Sequence, residues 1–111
     1  MFKRELEFIE IVKRDFKIDT LHGRTRPLPQ IKQVLSHILY YDFGMYNKSS
    51  VGVLLGQNHA TIIHNLKQIE MIKQPTDIYY NIWQKMQGLY YAFNNPSNMD
   101  IKWELQMRKF N

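Results

Sequence analysis

Apolar residues return every three or four positions through nearly the whole chain, and Gly, Pro or Asn punctuates each run. That period stacks them on one face of an α-helix, whereas a half-buried strand needs strict alternation, which no segment shows. An all-α fold is therefore expected. Over residues 3–16, Leu6, Ile9, Val12 and Phe16 keep helical spacing, with Lys3, Glu7, Glu10 and Arg14 on the other side. Residues 17–29 hold Gly23, Pro27 and Pro29 and read as a loop. Pro29 suits the first turn of the next helix, because its φ is already helical and its missing N–H would have no partner there. That helix carries the stripe Ile31, Val34, Leu35, Ile38 and Leu39 and runs to about Phe43, with Gly44 as its stop. Ser49 or Ser50 is expected to cap a brief helix over 51–55, interrupted by Gly56. Asn58 is a good cap for a longer helix over 59–73, apolar at Ile62, Ile63, Leu66, Ile69 and Ile72 and ended by Pro75. Thr76 or Asp77 opens another helix through Phe93, with Ile78, Ile82, Met86, Leu89 and Phe93 on one side. After the break Asn94-Asn95-Pro96-Ser97, a last helix is expected over 100–110, carrying Ile101, Leu105 and Met107.

A chain of 111 residues, 44% of them hydrophobic, can build one modest core. The absence of cysteine excludes a disulfide scaffold and a thiolate zinc site. No apolar run reaches the roughly 18 residues of a membrane span. The charged start MFKRELEFIEIVKRDF does not read as a signal peptide, so a soluble cytoplasmic protein is expected. His59 and His64 lie about 140° apart around a helix, so they cannot hold a metal from one face. No paired carboxylates, nucleophile–base pair or phosphate cradle stands out. The expectation is a protein that is not an enzyme, with no cofactor, no metal and no small-molecule substrate.

Charge is distributed unevenly along the chain, whose net charge is +5. Residues 1–19 balance. Residues 20–75 carry Arg24, Arg26, Lys32, Lys48, Lys67 and Lys73 against only Asp42 and Glu70, and all four histidines lie there too. A basic block between near-neutral flanks points to an anionic partner, nucleic acid first, or else to a solvated basic surface.

Within that block, a short helix over 51–55, a turn at Gly56-Gln57 and a longer helix from Asn58 have the outline of a helix-turn-helix. Val51, Leu54, Leu55, Ile62, Leu66 and Ile69 can pack together and onto the Ile31–Leu39 stripe. The start of the second helix is then left polar and exposed: Asn58, His59, Ala60 and Thr61, then His64, Asn65, Lys67 and Gln68. In a DNA-binding helix-turn-helix that end enters the major groove.

The segment VGVLLGQNHATIIHNLKQIEMI resembles the signature of the C-terminal DNA-binding domain (domain IV) of the bacterial replication initiator DnaA. The pattern is close to I-G-x-x-[FL]-G-[GR]-R-D-H-[ST]-T-V-[LI]-H-A-x-x-K-I. It is met at Val51-Gly52, Leu55-Gly56, His59, Thr61, Ile62-Ile63-His64 and Ile69. Upstream, RTRPLPQIKQVLSHIL is similar to that family's basic loop and the helix P-R-Q-x-A-M-x-L, with Arg24 and Arg26 in the loop and Gln30, Ile31 and Leu35 in the helix. The resemblance covers residues 8–73. It implies a Trp-repressor-like helical fold that binds duplex DNA, the loop arginine in the minor groove and the signature helix in the adjacent major groove. Gln57-Asn58 replaces the family's Arg-Asp, and Ala60 replaces its Ser/Thr. An Asn in place of Asp, with a methyl at Ala60, shifts the expected base preference toward A·T, unless Asn58 serves only as a helix cap. No G-x-x-x-x-G-K-[ST] occurs, so the expectation is a module without ATPase activity.

The DNA-binding candidates are accordingly Arg24, Arg26, Lys48, Gln57, Asn58, His59, Ala60, Thr61, His64 and Lys67. The pairs Tyr40-Tyr41, Tyr79-Tyr80 and Tyr90-Tyr91 read as half-buried core residues rather than stacking platforms. Residues 1–75 are expected to form the DNA-binding domain. Residues 76–111, which include Trp83 and Trp103, are expected to form a helical extension packing on it, on a second copy or on a protein partner. The expected role is sequence-specific duplex binding, as a replication accessory factor or a transcriptional regulator. The alternative is a protein-interaction module with a DnaA-like fold that no longer binds DNA.

Overall fold

The computed structural model describes residues 2–95, and the helix expected over 100–110, with Trp103, lies outside them. Five α-helices follow in order: α1 (Lys3–Asp15), α2 (Leu28–His37), α3 (Lys48–Leu55), α4 (His59–Ile72) and α5 (Tyr80–Phe93). A π-helical turn, Ile38–Asp42, continues α2, and no strand occurs among the described residues. None of the described helices is long and apolar enough to cross a membrane.

α2 is the hub, packing against α3, α4 and α5, while α1 packs on α5. Its stripe lies where the 3.6-residue period puts it, with Ile31, Val34, Leu35, Ile38 and Leu39 almost fully buried. Val51 and Leu55 of α3, Ile62, Ile69 and Ile72 of α4, and Ile82, Met86 and Leu89 of α5 close around it.

On α1 the buried face is Phe8, Ile9 and Val12, while Leu6 is 50% exposed. The expected stripe is thus rotated toward Phe8. An aromatic cluster explains the rotation: Phe8 lies 5.4 Å from Phe43, 5.9 Å from Tyr90 and 5.6 Å from Phe93, ring centre to ring centre. Ring contacts of this kind, edge-to-face with Tyr90 and Phe93 and tilted with Phe43, add about 0.5–1.5 kcal/mol each beyond area burial. Tyr90 also donates its hydroxyl proton to the Asp42 carbonyl at 2.7 Å. Of the tyrosine pairs, Tyr90 joins this cluster while Tyr91 is 64% exposed.

Two helix starts differ from expectation. α3 begins at Lys48, and its cap is Asn47 rather than Ser49 or Ser50: the Asn47 Oδ1 accepts from the Ser50 N–H at 2.9 Å. α5 begins only at Tyr80. Asp77 accepts from the Tyr79 N–H, forming a local turn that delays the helix, and Ile78 is 79% exposed rather than on the core stripe.

Candidate nucleic-acid interface

α3 and α4 meet through the three residues Gly56, Gln57 and Asn58. Gly56 adopts φ +66°, the left-handed conformation that closes a helix without steric cost only for glycine. Its N–H bonds to the Val53 carbonyl, and the Gln57 N–H reaches back to the Gly52 carbonyl at 2.8 Å. Gly52 lies under that crossing, and a Cβ there would overlap the Gln57 carbonyl oxygen. Two glycines therefore make the turn as tight as it is.

Asn58 caps α4. Its Oδ1 accepts from the Thr61 N–H at 2.8 Å and from the Thr61 hydroxyl at 2.9 Å. A bidentate reading of adenine needs both halves of the amide. In this geometry the acceptor half is already engaged, and only Nδ2 remains to face a partner.

Gln57 is held from below. Its Oε1 accepts from Asn65 Nδ2 at 2.9 Å, and the same Nδ2 donates to Ser36 Oγ at 2.9 Å. Ser36 in turn donates to the Lys32 carbonyl at 2.7 Å. Asn65 was expected among the exposed polar residues of the second helix, but it is 3% exposed. The sequence carried the signal: Asn65 falls in register with Ile62, Ile69 and Ile72, the buried face of α4. A polar group buried there is tolerated because Ser36 and Gln57 satisfy it.

The loop ahead of α2 is fastened by Lys32, whose Nζ donates to the Gly23 carbonyl at 3.2 Å while its stem is buried. This brings Arg24 against the start of α4. His22, Arg24, Lys32, Gln57, Asn58 and Thr61 line one cleft of about 410 Å³, closed elsewhere by Gly23, Pro29 and Gly56, with no carboxylate in its wall among the described residues. Burial, and then the Arg24 charge beside it, push the Lys32 ammonium below its usual pKa of 10.5. Lys32 was absent from the sequence candidates. Its spacing of four from Ser36 marks a polar seam beside the apolar stripe of α2, the one hint available.

The remaining candidates separate. Arg26 does not line the cleft; its Nη1 donates to the Tyr79 hydroxyl at 3.3 Å, toward the α4–α5 connection. Lys48 also stands outside it, its ammonium 5.0 Å above the Tyr40 ring. His59, Ala60, His64 and Lys67 are exposed on α4, and Ala60, His64 and Lys67 share one stripe by their i, i+4, i+7 spacing. Comparison with protein-family models, with curated proteins and with solved structures finds no match.

Proposed function

We propose that this chain is a sequence-specific duplex-DNA-binding module of the DnaA domain IV type. In this reading α3, the turn and α4 form the helix-turn-helix, acting in replication or transcription without an ATPase of their own. The observation that carries the reading is the cleft, free of acidic side chains among the described residues, in which Arg24 and Lys32 meet the exposed, capped start of α4. A helix start offers unpaired N–H groups and the positive end of the helix dipole to an anion. The stripe Ala60, His64 and Lys67 would then face the major groove, with the Ala60 methyl available to a thymine methyl. Because Asn58 is engaged in its cap, base reading falls to the neighbours along that stripe. The motif shared with the DnaA signature, Gly52, Gly56, His59, Thr61 and His64, supports the same assignment.

The test is binding of fluorescent random duplex across a salt series, followed by selection from a random-sequence pool. Each neutralised phosphate contributes about 0.9 to the slope of log affinity against log salt. The expected result is binding at low salt with a slope of several, and an enriched sequence on selection. No binding to duplex at low salt would overturn the reading in favour of a protein partner.

A further inference from the structure

We propose that the cleft between the loop and α4 is a seat for a single phosphate group, taken as a phosphodiester of the duplex backbone, with Lys32 as its buried cation and Asn65 as a positioning residue. The choice of partner rests on the duplex-binding reading; the seat itself rests on the hydrogen-bond directions around the cleft. The Ser36 hydroxyl proton is committed to the Lys32 carbonyl. Ser36 can therefore only accept from Asn65, and the Asn65 amide must present its NH₂. The second proton of that NH₂ goes to Gln57, so Gln57 must present its oxygen inward and its own NH₂ to the cleft. Asn58 is arranged alike: Oδ1 faces its own helix and Nδ2 is left over. Lys32 donates one of its three N–H bonds, to Gly23, and Arg24 has no hydrogen-bond or ion-pair partner among the described residues.

The wall is thus lined mainly by unused donors: a guanidinium, an ammonium and two amide NH₂ groups, beside the first N–H groups of α4. Donors without acceptors in a concave site match an oxyanion with several lone pairs and no proton to give. A base edge, which mixes donors and acceptors, matches it poorly. A phosphate here would also relieve the repulsion between Arg24 and Lys32, the second cause of the lowered Lys32 pKa. The seat therefore anchors the loop and α4 to the backbone without reading sequence, and leaves discrimination to the exposed stripe of α4.

Two variants separate the seat from the fold. Lys32→Met keeps the buried stem and removes the charge together with the bond to the Gly23 carbonyl, so Gln57→Glu, which leaves that bond in place, is the control for the loop. Gln57→Glu keeps the oxygen that Asn65 needs and replaces the outward NH₂ with a carboxylate oxygen. The full chain is titrated with inorganic phosphate at constant ionic strength, chloride balancing, and followed by ¹H–¹⁵N NMR. Saturable shifts are expected at the His59 and Ala60 amides and the Gln57 side-chain amide; the two backbone shifts should be lost in both variants, and the Gln57 side-chain shift in Lys32→Met. Shifts that chloride reproduces, or that persist in both variants, would overturn the seat. In duplex titrations each variant should lower the log–log salt slope, by about 0.9 for one lost phosphate contact, with the selected sequence unchanged. Lost phosphate shifts with an unaltered slope would overturn the duplex as the occupant. Saturable phosphate binding with no duplex binding at all would keep the seat as a free-phosphate site and overturn the DNA reading alone.

Discussion

Replacing Gly52 with alanine reverses the usual sign of that substitution. Inside a helix, Gly→Ala ordinarily stabilises by about 0.5–1 kcal/mol, because glycine loses more backbone freedom on folding. Gly52 is a buried residue of α3, so propensity alone predicts a gain. The tertiary structure opposes it. The new Cβ would overlap the Gln57 carbonyl oxygen and lie 3.3 Å from the Gln57 carbonyl carbon. The obstacle is backbone, so no side-chain rotation relieves it, and the turn must open. Overpacking of this kind costs about 1–3 kcal/mol. Weakening the bond from the Gln57 N–H to the Gly52 carbonyl removes about 1 kcal/mol more. The loss exceeds the gain by about 1–3 kcal/mol. At roughly 4–8 °C per kcal/mol for a domain of this size, Tm should fall by on the order of 10 °C. The check is thermal unfolding by circular dichroism, with calorimetry to confirm a single transition. Because Gln57 and Asn58 follow directly, duplex affinity measured well below Tm should fall as well. An unchanged or raised Tm would refute the reasoning, since it would mean that α3 and α4 separate at no cost.

Further outcomes are expected at Asn58, at the two arginines and at His37. Asn58→Ala should cost about 1 kcal/mol through the lost cap. Asn58→Asp should preserve stability, because aspartate caps as well, yet weaken duplex binding by adding a carboxylate to the cleft; melting curves and a selection that returns an unshifted sequence check both. Arg24→Ala should weaken duplex binding and move stability by less than about 0.5 kcal/mol, whereas Arg26→Ala, whose side chain is turned to Tyr79, should leave the salt slope near that of the parent. Equal loss in the two variants would place both arginines on DNA. Burial lowers the His37 pKa from 6.5 against the raising pull of Asp42, so the folded chain binds fewer protons there than the unfolded one. That contribution to stability is complete above about pH 6.5 and is lost as pH falls toward the folded pKa. Asp42, raised from 3.8 by burial, acts with opposite sign at lower pH. His37→Gln should therefore flatten the fall of Tm between pH 7 and 5.5, and an identical slope in the two proteins would refute this.

The elements that local chemistry governs were legible in the chain itself. The α2 stripe, the Asn58 cap, the Gly56 stop and the end of α4 before Pro75 each depend on partners within about four residues, the reach of one helical turn. Where the local signal is shared among neighbours, sequence alone errs by two or three residues: Asn47 outcompetes Ser49 and Ser50 for the α3 start, and Asp77 turns the chain before α5 begins. The face of α1 was decided at long range, since Phe8 prevails over Leu6 only where Phe43, Tyr90 and Phe93 gather. The same holds for the candidate site. Lys32 reaches Gly23 across nine residues, Asn65 reaches Ser36 across 29, and Arg26 reaches Tyr79 across 53. A charge count cannot rank Arg24, Arg26 and Lys32, because each is one unit of basicity in a list. Only the packing of α2 against α4 turns Arg24 and Lys32 into one cleft, sends Arg26 elsewhere, and buries Asn65 where its hydrogen bonds dictate which side of Gln57 faces outward.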